Sequence, residues 1–135
     1  MKPYILLVED NGSDAELALL AFGQHGYAER LRVARGISEA MQVIEAELPE
    51  LILLDVKLCG ESGLELLAQL KSNARTRAVP VVMLSSSREQ GDITESYRLG
   101  ANSYVTKPVD FDQFINLAKQ LSDYWLVTNE PPERR

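Results

Sequence analysis

The chain has 135 residues, enough for one domain with its own hydrophobic core and no need of covalent staples. A net charge of −6 and a pI near 4.8 give it no intrinsic attraction to nucleic acid or to an anionic membrane. A single cysteine, Cys59, excludes an intrachain disulfide and suits a reducing compartment, and no run approaches the ~20 apolar residues of a membrane span. Lys2 precedes an apolar stretch too short, and too soon followed by acids, for a signal peptide. A cytoplasmic protein is expected.

The first strand is predicted at YILLV (4–8), which runs into two carboxylates, Glu9 and Asp10. Ser13 with Glu16 has capping-box spacing for a helix whose apolar stripe is Leu17, Leu20 and Ala21. LRVA (31–34) alternates, as a half-exposed edge strand does, and a helix follows with Ala40, Val43 and Ile44 inward. LILLDV (51–56) is a continuous apolar block that meets Asp55, and Ser62 with Glu65 opens the next helix. VPVVMLS (79–85) is another such block; Ser87 with Gln90 then starts a helix that Gly100 stops. SYVT (103–106) alternates again, and Asp110 with Gln113 begins a last helix striped by Phe114, Leu117, Ala118 and Leu121. Tyr124, Trp125, Leu126 and Val127 follow it, more bulk than one buried face needs, and read as a packed tail or an oligomer surface. A domain over 1–127 with a polar tail over 128–135 is expected, with no effector domain after it.

Continuous Ile/Leu/Val blocks flanked by helices imply strands covered on both faces, hence a parallel sheet. Five β-α units give an α/β doubly wound, flavodoxin-like (βα)5 fold of order 2-1-3-4-5, with the two alternating strands at the edges. Ligands in such sheets bind outside the carboxyl ends of the strands. Those ends carry Glu9, Asp10, Asp55, Ser85 and Lys107-Pro108. Each alone is a cap or a surface charge. Together, three acids at one edge repel unless a cation joins them, and Mg2+ takes one or two carboxylates while keeping water and phosphate oxygens.

With LLVED, LILLDVKL…G, VVMLSS and SYVTKP in place, the whole chain resembles a receiver domain of a two-component response regulator. The region from SSREQ through ANSYVTKPVDFDQF to YWLVTNEPP is similar to single-domain regulators associated with bacterial phytochromes and related sensor histidine kinases. The resemblance implies that Asp55 accepts a phosphoryl group from a histidine kinase or a histidine phosphotransfer protein. It implies that Asp10 ligates Mg2+ directly, Glu9 through water and Lys57 through its backbone carbonyl. Ser85 and Lys107 would hold the phosphoryl group, Tyr104 would change rotamer with it, and the Lys107-Pro108 peptide would be cis. A homodimer through the fourth helix, fifth strand and fifth helix is also implied. The chemistry accords with this. Asp55 is an oxygen nucleophile ionised at neutral pH, and Mg2+ with Lys107 offsets its repulsion from an anionic phosphoryl.

The sequence departs from the family at Cys59, where Pro is usual, and at Leu58, where Met is common. Cys59 reads as a small buried hydrophobe rather than a redox group. Lys57 and Ser87 match positions that tune phosphoryl lifetime in the family, or simply face solvent. His25, the only histidine, reads as an exposed helix-end residue. Three rivals remain: a flavodoxin-like electron carrier, disfavoured because Glu9 and Asp10 repel a flavin phosphate; a haloacid-dehalogenase-like phosphatase, disfavoured because Lys57 stands where its second acid belongs; and a degenerate receiver acting as an unphosphorylated interaction module.

Overall fold

The computed structural model describes residues 3–133; Lys2 and the last two positions of the expected tail lie outside them. Five parallel strands form the sheet: β1 (Ile5–Val8), β2 (Leu31–Ala34), β3 (Leu51–Leu54), β6 (Val81–Ser85) and β7 (Ser103–Thr106). Their order is β2-β1-β3-β6-β7, the predicted 2-1-3-4-5 pattern. A two-residue-per-strand hairpin, β4 (Lys57–Leu58) and β5 (Glu61–Ser62), follows β3 and was not foreseen. No helix among the described residues is long and apolar enough to cross a membrane.

Helices α1 (Gly12–Gly23), α2 (Ile37–Ala46), α3 (Gly63–Ser72), α4 (Gln90–Arg98) and α5 (Phe111–Ser122) connect the strands. Strand alternation divides the core into two layers. Leu6, Val8, Ile52, Leu54, Val81 and Met83 pack with α2 and α3, whereas Ile5, Leu7, Leu51, Leu53, Val82 and Leu84 pack with α1 and α5. Every residue of β1, β3 and β6 is buried, as the continuous apolar blocks implied. Burial of each such aliphatic side chain contributes about 1.5–3 kcal/mol. Helix α4 is held least firmly, with Ser96 its one buried residue.

Two capping expectations hold and two do not. Ser62 accepts from Leu64 N and Asp110 from Asp112 N, so each caps its helix. In α1 the cap is Asn11, which accepts from Asp14 N; Ser13 is already inside the helix. In α4 the capping position is Glu89, while the Ser87 hydroxyl accepts from Glu89 N and donates to Asp92. The α1 stripe is also shifted: Ala15, Ala18, Ala21 and Phe22 are buried, and Leu17 and Leu20 face solvent. Small alanines let α1 lie close to the sheet, which leucine spacing alone cannot reveal. Gly100 does end α4, with φ +106°, and the Ala101 N–H to Ser96 O and Gly100 N–H to Tyr97 O bonds close a Schellman motif.

After α5 the chain continues in a π-helix over Asp123–Thr128. It packs Trp125 and Leu126 against the α1/α5 layer and leaves Tyr124 and Val127 exposed. His25 lies just beyond α1, half-buried rather than exposed, with Nε2 3.1 Å from Ile115 O.

Candidate functional site

Parallel register builds the site. Val8 stands beside Leu54, so Glu9 and Asp55, the next residues, emerge side by side. Ser85 pairs with Thr106, and Lys107 N donates to Ser85 O at 2.8 Å, which carries Lys107 past the end of the sheet. β6 separates β7 from β3, a span of ~10 Å. The small Ser85 side chain lies between them, and the long stem of Lys107 crosses the gap.

The ammonium then meets two carboxylates at once: Lys107 Nζ is 2.5 Å from Glu9 Oε1 and 3.1 Å from Asp55 Oδ2. Asp14 Oδ2, in the first turn of α1, is 3.5 Å away. Glu9 is 3% exposed and Asp55 9% exposed. Burial by itself would pull the Lys107 pKa down. The Glu9 hydrogen bond, the charges of Asp55 and Glu9 and the Asp55 hydrogen bond outweigh it, holding the pKa above the ordinary lysine value. The expected repulsion among acids is thus met in part by a cation of the protein itself.

Asp10 stands apart. Its Oδ2 accepts from the Cys59 backbone N–H at 2.7 Å, at the tip of the β4-β5 hairpin. Among the described residues, no group of three or more acidic, histidine or cysteine side chains is placed to hold a metal ion. The donor set still suits a hard divalent cation. Glu9, Asp10 and Asp55 carry carboxylate oxygens at adjacent strand ends that could serve as ligands, Asp14 adds a fourth carboxylate nearby, and Lys107 offsets only part of that charge.

Around Asp55 the backbone is tightly arranged. Lys57 N donates to Asp55 Oδ1 at 3.3 Å, and Gly63 N donates to Val56 O at 2.7 Å. A Cβ on Gly63 would fall 1.8 Å from the Asp55 carbonyl oxygen, so only glycine fits there. Glu61 Oε1 accepts from Ile37 N, capping α2 from the hairpin. An open cleft of about 270 Å³ lies against Asp55, lined also by Lys57, Ser85 and the loop from Ser86 to Glu89.

Ser85 is buried, and its hydroxyl accepts from Ser87 N at 3.2 Å. Tyr104 is half-buried and donates its hydroxyl to Ser87 O at 2.8 Å, so the loop between β6 and α4 is fastened to the edge strand. Two expectations are corrected. All described peptide bonds, Lys107-Pro108 included, are trans; the 2.8 Å bond from Lys107 N to Ser85 O continues the ladder up to that proline. Cys59 is exposed rather than buried, because it occupies the hairpin turn. Lys57 is exposed as well.

Thus Glu9, Asp55, Ser85 and Lys107 converge at one sheet edge, and Tyr104 reaches it through Ser87. Asp10 adjoins it but is turned to the hairpin. Asp14 and Gly63 were missed as participants. Asp14 follows the predicted cap by one residue, an ordinary place for a helix-start acid, and Gly63 was legible only as a motif glycine.

A model of the response regulator receiver domain matches residues 5–119. The probable methanogenesis regulatory protein FilR2 of Methanothrix harundinacea is 35% identical over 134 residues, covering 95% of this chain and 86% of that protein. Response regulator Rcp1 of Synechocystis sp. is 31% identical over 131 residues, covering 92% of this chain and 89% of Rcp1. The Mn2+-bound crystal structure of Rcp1 matches with a TM-score of 0.85 over 97% of this chain and 99% of that one. The crystal structure of the phosphorylated cyanobacterial phytochrome response regulator RcpA matches with a TM-score of 0.87 and 34% identity, over 98% and 100% of the two chains. With a family model over most of its length and these relatives along nearly all of it, the chain belongs to the response regulator receiver family, signalling domains of two-component systems rather than classical enzymes.

Proposed function

We propose that this protein accepts a phosphoryl group on Asp55 from the phosphohistidine of a sensor histidine kinase or a histidine phosphotransfer protein, with Mg2+ as cofactor. The observation that carries the reading is Asp55 itself: a nearly buried carboxylate, paired with Lys107 Nζ at 3.1 Å, that opens onto the cleft walled by Ser85 and the 86–89 loop. The cleft, about 270 Å³ and open to solvent, has room for a phosphoryl group.

In this mechanism the chain supplies positioning and electrostatics. An Asp55 oxygen attacks phosphorus, the phosphorus–nitrogen bond to the donor histidine breaks, and the leaving imidazole keeps the electron pair. Lys107 balances charge on the acceptor side. Glu9, Asp10, Asp55 and the Lys57 backbone carbonyl would hold Mg2+, which when bound offsets charge on the phosphoryl oxygens. Hydrolysis of the acyl phosphate by water, catalysed by the same groups, restores Asp55. The new group brings roughly −2 charge and strong acceptors. Ser85 turns its hydroxyl from the loop to a phosphoryl oxygen, the 86–89 loop follows, and that shift passes to β7 through the Tyr104-to-Ser87 bond and to α4 through the Ser87-to-Asp92 bond. That α4 buries only Ser96 supports it as the element that moves.

Output belongs to the face of α4, β7 and α5, where Tyr97 of α4 is exposed beside Tyr104 of β7; a homodimer formed there is part of this reading. A cytoplasmic location is also part of it, and the single cysteine accords with a reducing compartment. One observation favours the second reading, a degenerate receiver that acts without phosphorylation: Asp10 is engaged by the Cys59 amide, so three acids do not stand together. Mass spectrometry after incubation with acetyl phosphate and Mg2+ separates the two. Wild type should gain one phosphoryl mass and Asp55→Asn none. A gain in the variant, or none in wild type, refutes the phosphoacceptor assignment.

A further inference from the structure

Of the three adjacent acids, Glu9 and Asp55 share the Lys107 ammonium, while Asp10 is held by something else. Among the described residues its hydrogen-bond donor is the backbone N–H of Cys59, at 2.7 Å and 49 positions away in sequence. That length is typical of a charge-assisted bond. Hairpin pairing stops at Leu58 with Glu61, so the Cys59 amide lies beyond the paired residues and is directed to Asp10. The Cys59 side chain is exposed and takes no part. The effect is to fasten Asp10 to the hairpin tip and away from the other two carboxylates.

We propose, resting on the magnesium reading of this site, that the Cys59 amide competes with the divalent cation for Asp10. Residue 59 then sets the affinity of the metal site through its backbone donor. A cation that takes Asp10 through Oδ2, or that draws the carboxylate towards Glu9 and Asp55, must first displace this N–H, and the free protein is stabilised in the metal-free arrangement to the same extent. The hairpin offers a clean way to delete the donor. Cys59 is the first residue of a two-residue turn whose second, Gly60, has φ +72°, and Leu58 before it is in a strand. Proline is favoured at such a first position and accepts an extended residue before it. Cys59→Pro therefore removes the N–H at a site that tolerates the ring, and Cys59→Ala removes the thiol and keeps the N–H.

The test is calorimetric titration of Mg2+ into wild type, Cys59→Ala and Cys59→Pro, together with amide hydrogen exchange of Cys59 in wild type with and without saturating Mg2+. Cys59→Ala should bind within about twofold of wild type, and Cys59→Pro about tenfold more tightly, the scale of one hydrogen bond to a charged group. The Cys59 amide of wild type should exchange faster when Mg2+ is bound. Should Cys59→Pro fail to fold, the exchange measurement decides alone. Wild-type binding with Cys59→Pro no tighter, or with an unchanged Cys59 exchange rate, overturns the competition and leaves the magnesium site standing. Absence of Mg2+ binding by all three chains overturns both.

Discussion

Replacing Gly63 by alanine tests how the fold holds Asp55. The added Cβ would lie 1.8 Å from the Asp55 carbonyl oxygen, 2.9 Å from its carbonyl carbon and 3.3 Å from Leu54 Cδ1. Relief needs more than about 1 Å of movement between the start of α3 and the end of β3, since real contacts of this kind stay beyond 3.0 Å. Neither partner can give way easily. Helix α3 is anchored by Leu66, Leu67 and Leu70, all at most 1% exposed, and β3 is the central strand. Overpacking of this kind costs about 1–3 kcal/mol, and loss of the Gly63 N–H to Val56 O bond adds about 1 kcal/mol. We expect a loss of about 2–4 kcal/mol, a fall in Tm of about 6–15 °C for a domain of this size. Gly91→Ala is the matched control: nothing lies within 4 Å of its Cβ, and it is in the first turn of α4. There the same change should stabilise by up to ~1 kcal/mol. Urea and thermal denaturation followed by circular dichroism in EDTA would measure both. Phosphorylation of Gly63→Ala by acetyl phosphate should fall about a hundredfold, because a 1 Å misplacement of a reacting group carries that penalty. A Gly63→Ala protein within 1 kcal/mol of wild type would refute the reasoning.

Lys107→Met leaves Glu9 and Asp55 facing each other without their cation and should destabilise the metal-free protein by about 3 kcal/mol near neutral pH, read by urea denaturation. Because the folded Lys107 pKa is raised, its stabilisation is fully present below the ordinary value of 10.5 and is lost as pH rises through the folded value; the gap between wild type and variant should close only in that alkaline window. Asp10→Ala should weaken Mg2+ binding sharply in calorimetry, and unchanged affinity would remove it from the ligand set. Tyr104→Phe deletes the bond to Ser87 O and should cost about 1 kcal/mol, with faster amide exchange confined to the 86–89 loop and the start of α4. Tyr97→Ala, which removes an exposed aromatic of α4, should shift the sedimentation of wild type from dimer towards monomer while circular dichroism shows an intact fold; a wild type monomeric at high micromolar concentration, with and without an acyl-phosphate mimic, rules out that dimer.

Local pattern alone determined the strands. Buried parallel strands require unbroken aliphatic runs and edge strands alternate, so YILLV, LILLDV and VPVVMLS were separable from LRVA and SYVT before any contact was known. Strand order followed from that contrast, and the sheet edge that gathers Glu9, Asp55, Ser85 and Lys107 followed from the order. Helix starts were legible only where the cap and its amide lie in one turn, as at Ser62 and Asp110. At α1 and α4 several polar residues precede the helix; Asn11 caps α1, and Glu89 holds the capping position of α4 without a side-chain bond. Which atoms these distant residues present to one another was not legible. That Lys107 would neutralise Glu9 and Asp55 depends on the reach of one side chain over β6. That Gly63 must lack a Cβ depends on a helix start pressed against Asp55 O. That Asp10 turns to the Cys59 amide depends on a hairpin tip meeting a loop 49 residues earlier. Sequence spacing encodes which face a residue occupies, because backbone periodicity is local; which partner it meets on that face is decided by packing between elements far apart in the chain.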